Sequence, residues 1–448
     1  MSVMKKNNLL LFLAGAFSMT QIRIVGNIGI SELIVSLAAP WVFVVDYKLL
    51  RKDGFLTVSI LSLLTCLSCC LSSLVNHTSS YDFLRGLATP YTIFAWIVVF
   101  HRMLRDDFKG YRYLFVGLAI TYFLNIYAFQ TGKDDSGVIN GVSGDVEEAV
   151  IGNALFWITR IGSIVKLPIQ AWYLETPLIY SIVVPVLLAF YSLFSTASGR
   201  STAMGVVGAS FLIAWGRKSK VSIKSIQRHF IAFFMIALIV ANGAKKIYQY
   251  CASTGILGEQ AQSKYEKQTR GGTDVLSLLM GGRGEFFIGF LAALDRPLLG
   301  FGPWALDTNG YVEDFLVKYG AQEDYADYLR FQLNAAKDGR MVRARWIPTH
   351  SHIVGYWVWY GVVGLFFWLY VFWLFWTLFR RYISAIPQLF GYFALGVPVA
   401  CWNIFFSPVA HRCETALIVV LALFARAVQN RCWSLPLEME DEIKCHDA

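Results

Sequence analysis

His350 and His352 flank Ser351 in the run Pro348-Thr349-His350-Ser351-His352-Ile353, and nine residues after the His-Ser pair come Gly361 and Gly364. A neutral imidazole, with a pKa of about 6.5, can take a proton from a hydroxyl group or hydrogen-bond to it at neutral pH. Either ring could instead cap the following helix or sit at the level of lipid headgroups. Single arginines stand among small residues elsewhere. Arg200 lies in Ser198-Gly199-Arg200-Ser201-Thr202-Ala203-Met204, and Arg283 in Gly281-Gly282-Arg283-Gly284-Glu285-Phe286, ahead of Asp295-Arg296-Pro297-Leu298-Leu299-Gly300-Phe301-Gly302. A guanidinium is a planar fork of donors suited to phosphate oxygens. The bland alternatives are an interhelical hydrogen bond for Arg200 and a loop ion pair with Glu285 or Asp295 for Arg283. Arg85, Arg160, His352 and Arg345 are candidate substrate contacts, although an arginine at a helix end, as Arg85 is, often only snorkels. Arg340, Arg343 and Arg345 precede His350 and could steer an anion towards it. The chain has no glycine-rich loop followed by Lys-Ser/Thr, no His-Glu-x-x-His, no Cys/His cluster and no Asp-x-Asp pair, so neither ATP hydrolysis, a metal site nor a cofactor is expected.

The elements that must position these residues follow from hydropathy. A 448-residue chain that is 56% hydrophobic and 15% charged is too apolar for one soluble core, which makes it a polytopic all-α membrane protein. A bilayer core takes about 20 apolar residues to cross as a helix. Runs of that kind fall at 8–26, 30–47, 54–75, 83–104, 111–130, 177–197, 201–216, 229–249, 351–378, 387–407 and 411–428. The basic clusters Lys5/Lys6, Lys48/Arg51/Lys52, Arg102/Arg105/Lys109, Arg217/Lys218/Lys220/Lys224/Arg228 and Arg380/Arg381 should all face the cytoplasm. They do so only if 150–173, with Arg160 and Lys166, is a further crossing; a surface-lying helix is the alternative. The expectation is therefore about twelve transmembrane helices with both termini cytoplasmic. Its parts are helices over 1–249, a large loop with short helices over 250–350 on the far side, three more helices over 351–430, and an acidic cytoplasmic tail over 431–448. Within the loop, Phe286 to Leu294 is apolar enough to dip into the membrane. The net charge of +9 is spent on topology, with no nucleic-acid partner implied. The eight cysteines have no paired or metal-like spacing.

The order of these features resembles the O-antigen polymerase and ligase superfamily of bacterial surface-polysaccharide assembly. The resemblance rests on His350-Ser351 followed by Gly361-x-x-Gly364, on Arg283 followed by an apolar stretch and Pro297-Leu298-x-Gly300-x-Gly302, and on Arg200. Met204 stands where the family has Leu, and Phe286 or Phe287 where it has Trp. Gly361 and Gly364 are expected to let helices approach closely. The family implies a GT-C-like inner-membrane fold with the large periplasmic loop capping the site. It also implies a metal-independent glycosyltransferase acting on undecaprenyl-diphosphate-linked oligosaccharide. Arg200 and Arg283 would hold the diphosphate, and His350 would activate the acceptor hydroxyl for inverting transfer. The first periplasmic loop, around Gly26 to Ile30, lacks the acid that enzymes using lipid monophosphate sugars generally carry there, which favours a donor handled by arginines. Partners beyond the lipid bilayer would be a second repeat unit for a polymerase, lipid A core for a ligase, and a chain-length regulator as a further candidate. The His-Ser-His variant and the mixed charge of the loop favour the polymerase. A flippase for the same glycans is the reading from another class, although such transporters are usually built from related halves with a midplane site.

Overall fold

The computed structural model describes residues 6–18, 21–23, 27–118, 120, 250, 254, 275–319, 346–383, 385–386, 389–407, 412–430 and 432–433. Helix occupies 81% of the described residues, as an all-α chain requires. In order they are α1 (Lys6–Ala16), α2 (Ile30–Lys52), α3 (Leu56–Val75), α4 (Ser80–Asp106), α5 (Val275–Asp295), α6 (Tyr311–Tyr319), α7 (His352–Thr377), α8 (Phe390–Phe406) and α9 (Arg412–Gln429). Among the described residues, four stretches are long and apolar enough to cross a membrane: α2, α3, α4 and α7 extended to Tyr382. The protein is thus a helical membrane protein. The expected crossings at 177–197, 201–216, 229–249 and 150–173, and most of 111–130, lie outside the described residues.

The first expected crossing, 8–26, takes a different form. Helix α1 ends at Ala16, where the Ser18 hydroxyl and backbone N–H both donate to the Gly15 carbonyl (2.8 and 3.1 Å) and compete with further helical bonding. Strands β1 (Gln21–Arg23) and β2 (Asn27–Gly29) then pair antiparallel, Ile22 opposite Ile28.

Helix α4 is the core element, with Thr92 through His101 buried, and packs against α2, α3 and α9. Prolines inside two of these helices cannot donate to the carbonyl four residues back. Pro40 leaves the Ser36 carbonyl of α2 without its helical donor, and the Tyr91 hydroxyl supplies one at 2.9 Å. Pro90 does the same to Gly86 of α4, and the Tyr360 hydroxyl answers at 2.7 Å. In a hydrocarbon environment such repairs are what make a proline in a helix tolerable. The face of α2 carrying Ile34, Leu37, Trp41 and Val44 is exposed and apolar, as a lipid-facing surface is.

Buried ion pairs mark the two ends of α2. Near its start, Glu32 accepts a hydrogen bond from the Gly29 N–H (3.0 Å) and forms an ion pair with Arg412 of α9 (3.1 Å). Just past its end, Asp53 Oδ2 meets His101 Nε2 (2.9 Å) and Arg105 Nε (2.8 Å) of α4. The intervening helix rises about 31 Å at 1.5 Å per residue, the thickness of a bilayer core. Lys48, Arg51, Lys52, Arg102 and Arg105 gather at the Asp53 end.

Candidate active site

The approach to His350 is held by backbone pairing. Trp346 forms an antiparallel bridge with Leu306, and the Ile347 N–H donates to the Ala305 carbonyl at 3.0 Å. Ser351 then ends the extended stretch, with φ −158° and ψ 135°. Its hydroxyl accepts from the Val354 N–H (3.2 Å), capping α7, and donates to the Ile404 carbonyl of α8 (3.1 Å). With Ser351 buried and doubly bonded, its two neighbours diverge. His350 stays more than half exposed, and its Nδ1 meets the Glu285 carboxylate of α5. His352 turns inward, is 5% exposed and lies against the Trp368 ring at 4.5 Å. The expectation that His352 contacts substrate beside His350 meets this geometry: the two imidazoles of the motif occupy different surroundings, and only His350 is on the surface.

Gly361 sets the course of the chain beyond the motif. Its φ of 65° and ψ of −156° belong to a region that is essentially glycine-only, and they break α7. An unbroken helix would place residues sixteen apart about 24 Å from one another. Instead His352 touches Trp368, Tyr356 touches Phe367 and Trp368, and a Cβ on Gly364 would lie 2.5 Å from the Tyr356 carbonyl. Residues 352–360 fold back on the helix that begins at 362. The run 351–378, expected as one crossing, is therefore two helical pieces. The piece from 362 to Tyr382 still rises about 31 Å and is long enough to cross alone.

The break would orphan backbone groups, and a segment from the preceding loop replaces the missing bonds. Where a continuous helix would join the Val362 N–H to the Val358 carbonyl, Val362 donates to the Leu298 carbonyl (3.2 Å) and Val358 accepts from the Phe301 N–H (2.6 Å). The Tyr360 carbonyl accepts from the Ser68 hydroxyl at 2.6 Å, and Trp357 Nε1 donates to the Pro297 carbonyl at 3.0 Å. The Pro297–Gly302 stretch and the Gly361-x-x-Gly364 stretch are thus two halves of one backbone clasp. The close approach expected of Gly361 and Gly364 is present, though it joins a helix to a loop and a helix to its own returning half.

Arg85 lies one and a half turns into α4, a quarter exposed, with its guanidinium 3.8 Å from the centre of the Trp304 ring and 4.0 Å from Asp82. Trp304, at φ 57°, also meets Trp346 (5.0 Å) and Trp359 (4.9 Å). The guanidinium therefore rests on an indole platform whose Trp346 lies four residues ahead of His350. Arg283 is part of α5, two residues before Glu285; its side chain is outside the described residues, as are Arg200, Arg160 and Arg345. The 21 residues of α5 exceed the short helices expected of the loop, and the apolar stretch from Phe286 is the second half of this helix. Asp295, at its end, accepts from the Tyr311 hydroxyl of α6 at 2.5 Å, and burial together with that carboxylate pushes the phenol up to about 12.

Three participants escape a reading of the sequence. Glu285 presents itself there only as a neighbour for Arg283. Trp304 carries no local signal, since a left-handed tryptophan is not foreseeable from its neighbours. Glu32 stands two residues beyond the loop that lacks an acid, so a carboxylate is present at that end of the fold, already held by Arg412 and Gly29.

No protein-family model matches this chain, and the comparison with curated proteins found no match either.

Proposed function

We propose that this chain is an inner-membrane glycosyltransferase that polymerises undecaprenyl-diphosphate-linked oligosaccharide repeat units at the periplasmic face. The observation that carries the reading is the meeting of His350 with the helix that contains Arg283, beside the clasp between the Pro297–Gly302 and Gly361–Gly364 segments. An exposed imidazole, an arginine on the adjoining helix and a lipid-facing helical bundle are what transfer from a lipid diphosphate to a sugar hydroxyl needs. His350 takes the proton of the acceptor hydroxyl, and the oxygen attacks the anomeric carbon on the side opposite the diphosphate. The glycosidic bond forms as the bond to the diphosphate breaks, so configuration inverts. Arg283 and Arg200 offset the charge that collects on the leaving group. The diphosphate bond supplies the driving force, and both termini lie in the cytoplasm with the basic clusters.

The test is transfer by purified full-length protein given undecaprenyl-diphosphate repeat units, with lipid A core added or omitted and without ATP. Ladders of lengthened lipid-linked glycan in the absence of core are expected, and His350→Ala should lower their rate about 100-fold or more. Product only with core would make the chain a ligase. Lipid movement across liposomes with no product would make it a transporter, and full activity in His350→Ala would remove the mechanism.

A further inference from the structure

Glu285 has no part in the transfer mechanism as proposed, yet its carboxylate meets His350. Its place is set from both sides. One residue before it, Gly284 packs against the Phe315 ring of α6, where a Cβ would come within 3.1 Å. One turn later, Gly289 lies against the Pro348 carbonyl, where a Cβ would come within 2.8 Å. Between these contacts Phe286 packs on Phe406 of α8, with ring centres 5.8 Å apart. Helix α5 therefore lies directly along the segment that ends in His350, and Glu285 is the acidic side chain it presents there.

The pair is not a clamp for the fold. The side chains of His350 and Glu285 are 59% and 49% exposed, and an ion pair that open to water contributes little to folding. The His350 backbone is already placed by Ile347 and Ser351. What a carboxylate does to an imidazole is chemical. It can only accept, so the hydrogen of the neutral ring goes to Nδ1 and the lone pair to Nε2. When Nε2 gains a proton, the same carboxylate faces the resulting cation.

We propose that Glu285 is a positioning residue for His350: it accepts the Nδ1 hydrogen, turns Nε2 into the proton-accepting nitrogen, and stabilises the imidazolium formed when the acceptor hydroxyl gives up its proton. The imidazolium returns that proton to water after the glycosidic bond has formed. The inference rests on the transferase reading. It assigns one helix two tasks, since Arg283 and Glu285 are two positions apart in α5.

The experiment compares the full-length protein with Glu285→Gln, Glu285→Ala and Glu285→Asp. Carbethoxylation of His350 by diethyl pyrocarbonate requires the neutral ring and is read at the His350 peptide by mass spectrometry. With the carboxylate removed, its half-rate should move to lower pH by about one unit, and Glu285→Asp should restore part of the difference. In the transfer assay kcat should fall about 10- to 100-fold in Glu285→Gln with KM for the lipid-linked donor unchanged, and the acid limb of the pH profile should move with the labelling curve. Thermal midpoints should stay level across the set. An unchanged labelling curve in Glu285→Gln overturns the proposal, as does a rise in KM with kcat intact. A shifted curve in a protein that transfers no sugar would leave the ion pair standing and remove both the transferase reading and the catalytic purpose given to the pair.

Discussion

At the scale of single residues, the His-Ser-His motif contains three different jobs. His350 faces outward to Glu285, Ser351 bonds both α7 and α8, and His352 fills core space against Trp368. Truncating the two histidines should therefore have separable effects. His352→Ala removes a buried ring and should cost about 1–3 kcal/mol of stability, seen as a lower thermal midpoint in detergent. His350→Ala, on an exposed side chain, should leave that midpoint unchanged while transfer is lost. Equal loss of stability in both would contradict the inward and outward assignment.

At the scale of elements, the break in α7 is a joint shared with the 297–302 loop. An alanine at Gly361 would meet two penalties together. The backbone angles there are hostile to any side chain, and the Cβ would lie 2.0 Å from the Leu298 carbonyl, which is backbone and cannot swing away. Gly361→Ala should cost about 3 kcal/mol or more, read as loss of folded protein after solubilisation. Ser68→Ala acts on the same joint more gently. It leaves the buried Tyr360 carbonyl without its donor and should cost about 1–3 kcal/mol. A Gly361→Ala protein with unchanged yield and thermal midpoint would mean that the helix runs straight through this position.

At the scale of the whole molecule, the bundle is tied at both ends of α2 by charges and between them by apolar packing. At the Asp53 end, burial would raise the carboxyl, but hydrogen bonds and charge from His101 and Arg105 outweigh it and hold the group below its ordinary value of 3.8. A carboxyl lowered in the folded state stabilises the fold above the unfolded value, and that stabilisation disappears as pH falls from there through the native value. Asp53→Asn should be less stable than the unaltered protein by about 2–3 kcal/mol at pH 7. The gap should narrow as the pH drops below about 4. Denaturant midpoints measured from pH 7 down to pH 3 would show it; a constant gap would mean that Asp53 does not titrate with the fold.

Much of this protein is legible in its sequence. Hydropathy locates α2, α3 and α4 because a lipid-spanning helix must be apolar along its whole length, and that requirement is local. The same holds for the all-α class and for the gathering of basic residues at one end of the bundle. The type and order of residues also mark His350, Arg283 and the glycines as candidates. The tertiary structure decided what these residues meet. Hydropathy cannot see the reversal at Gly361, because the apolar run continues unbroken on both sides of it. The bonds that make the reversal possible come from Leu298 and Phe301, some sixty residues earlier, and from Ser68, nearly three hundred earlier. The partner of His350 was likewise set by distance in space. Glu285 lies 65 positions before it and reaches it because Gly284 and Gly289 bring α5 against neighbouring chain. Long-range backbone bonding and close approach at glycines thus converted an apolar run into a folded-back element and a lone histidine into one half of a pair.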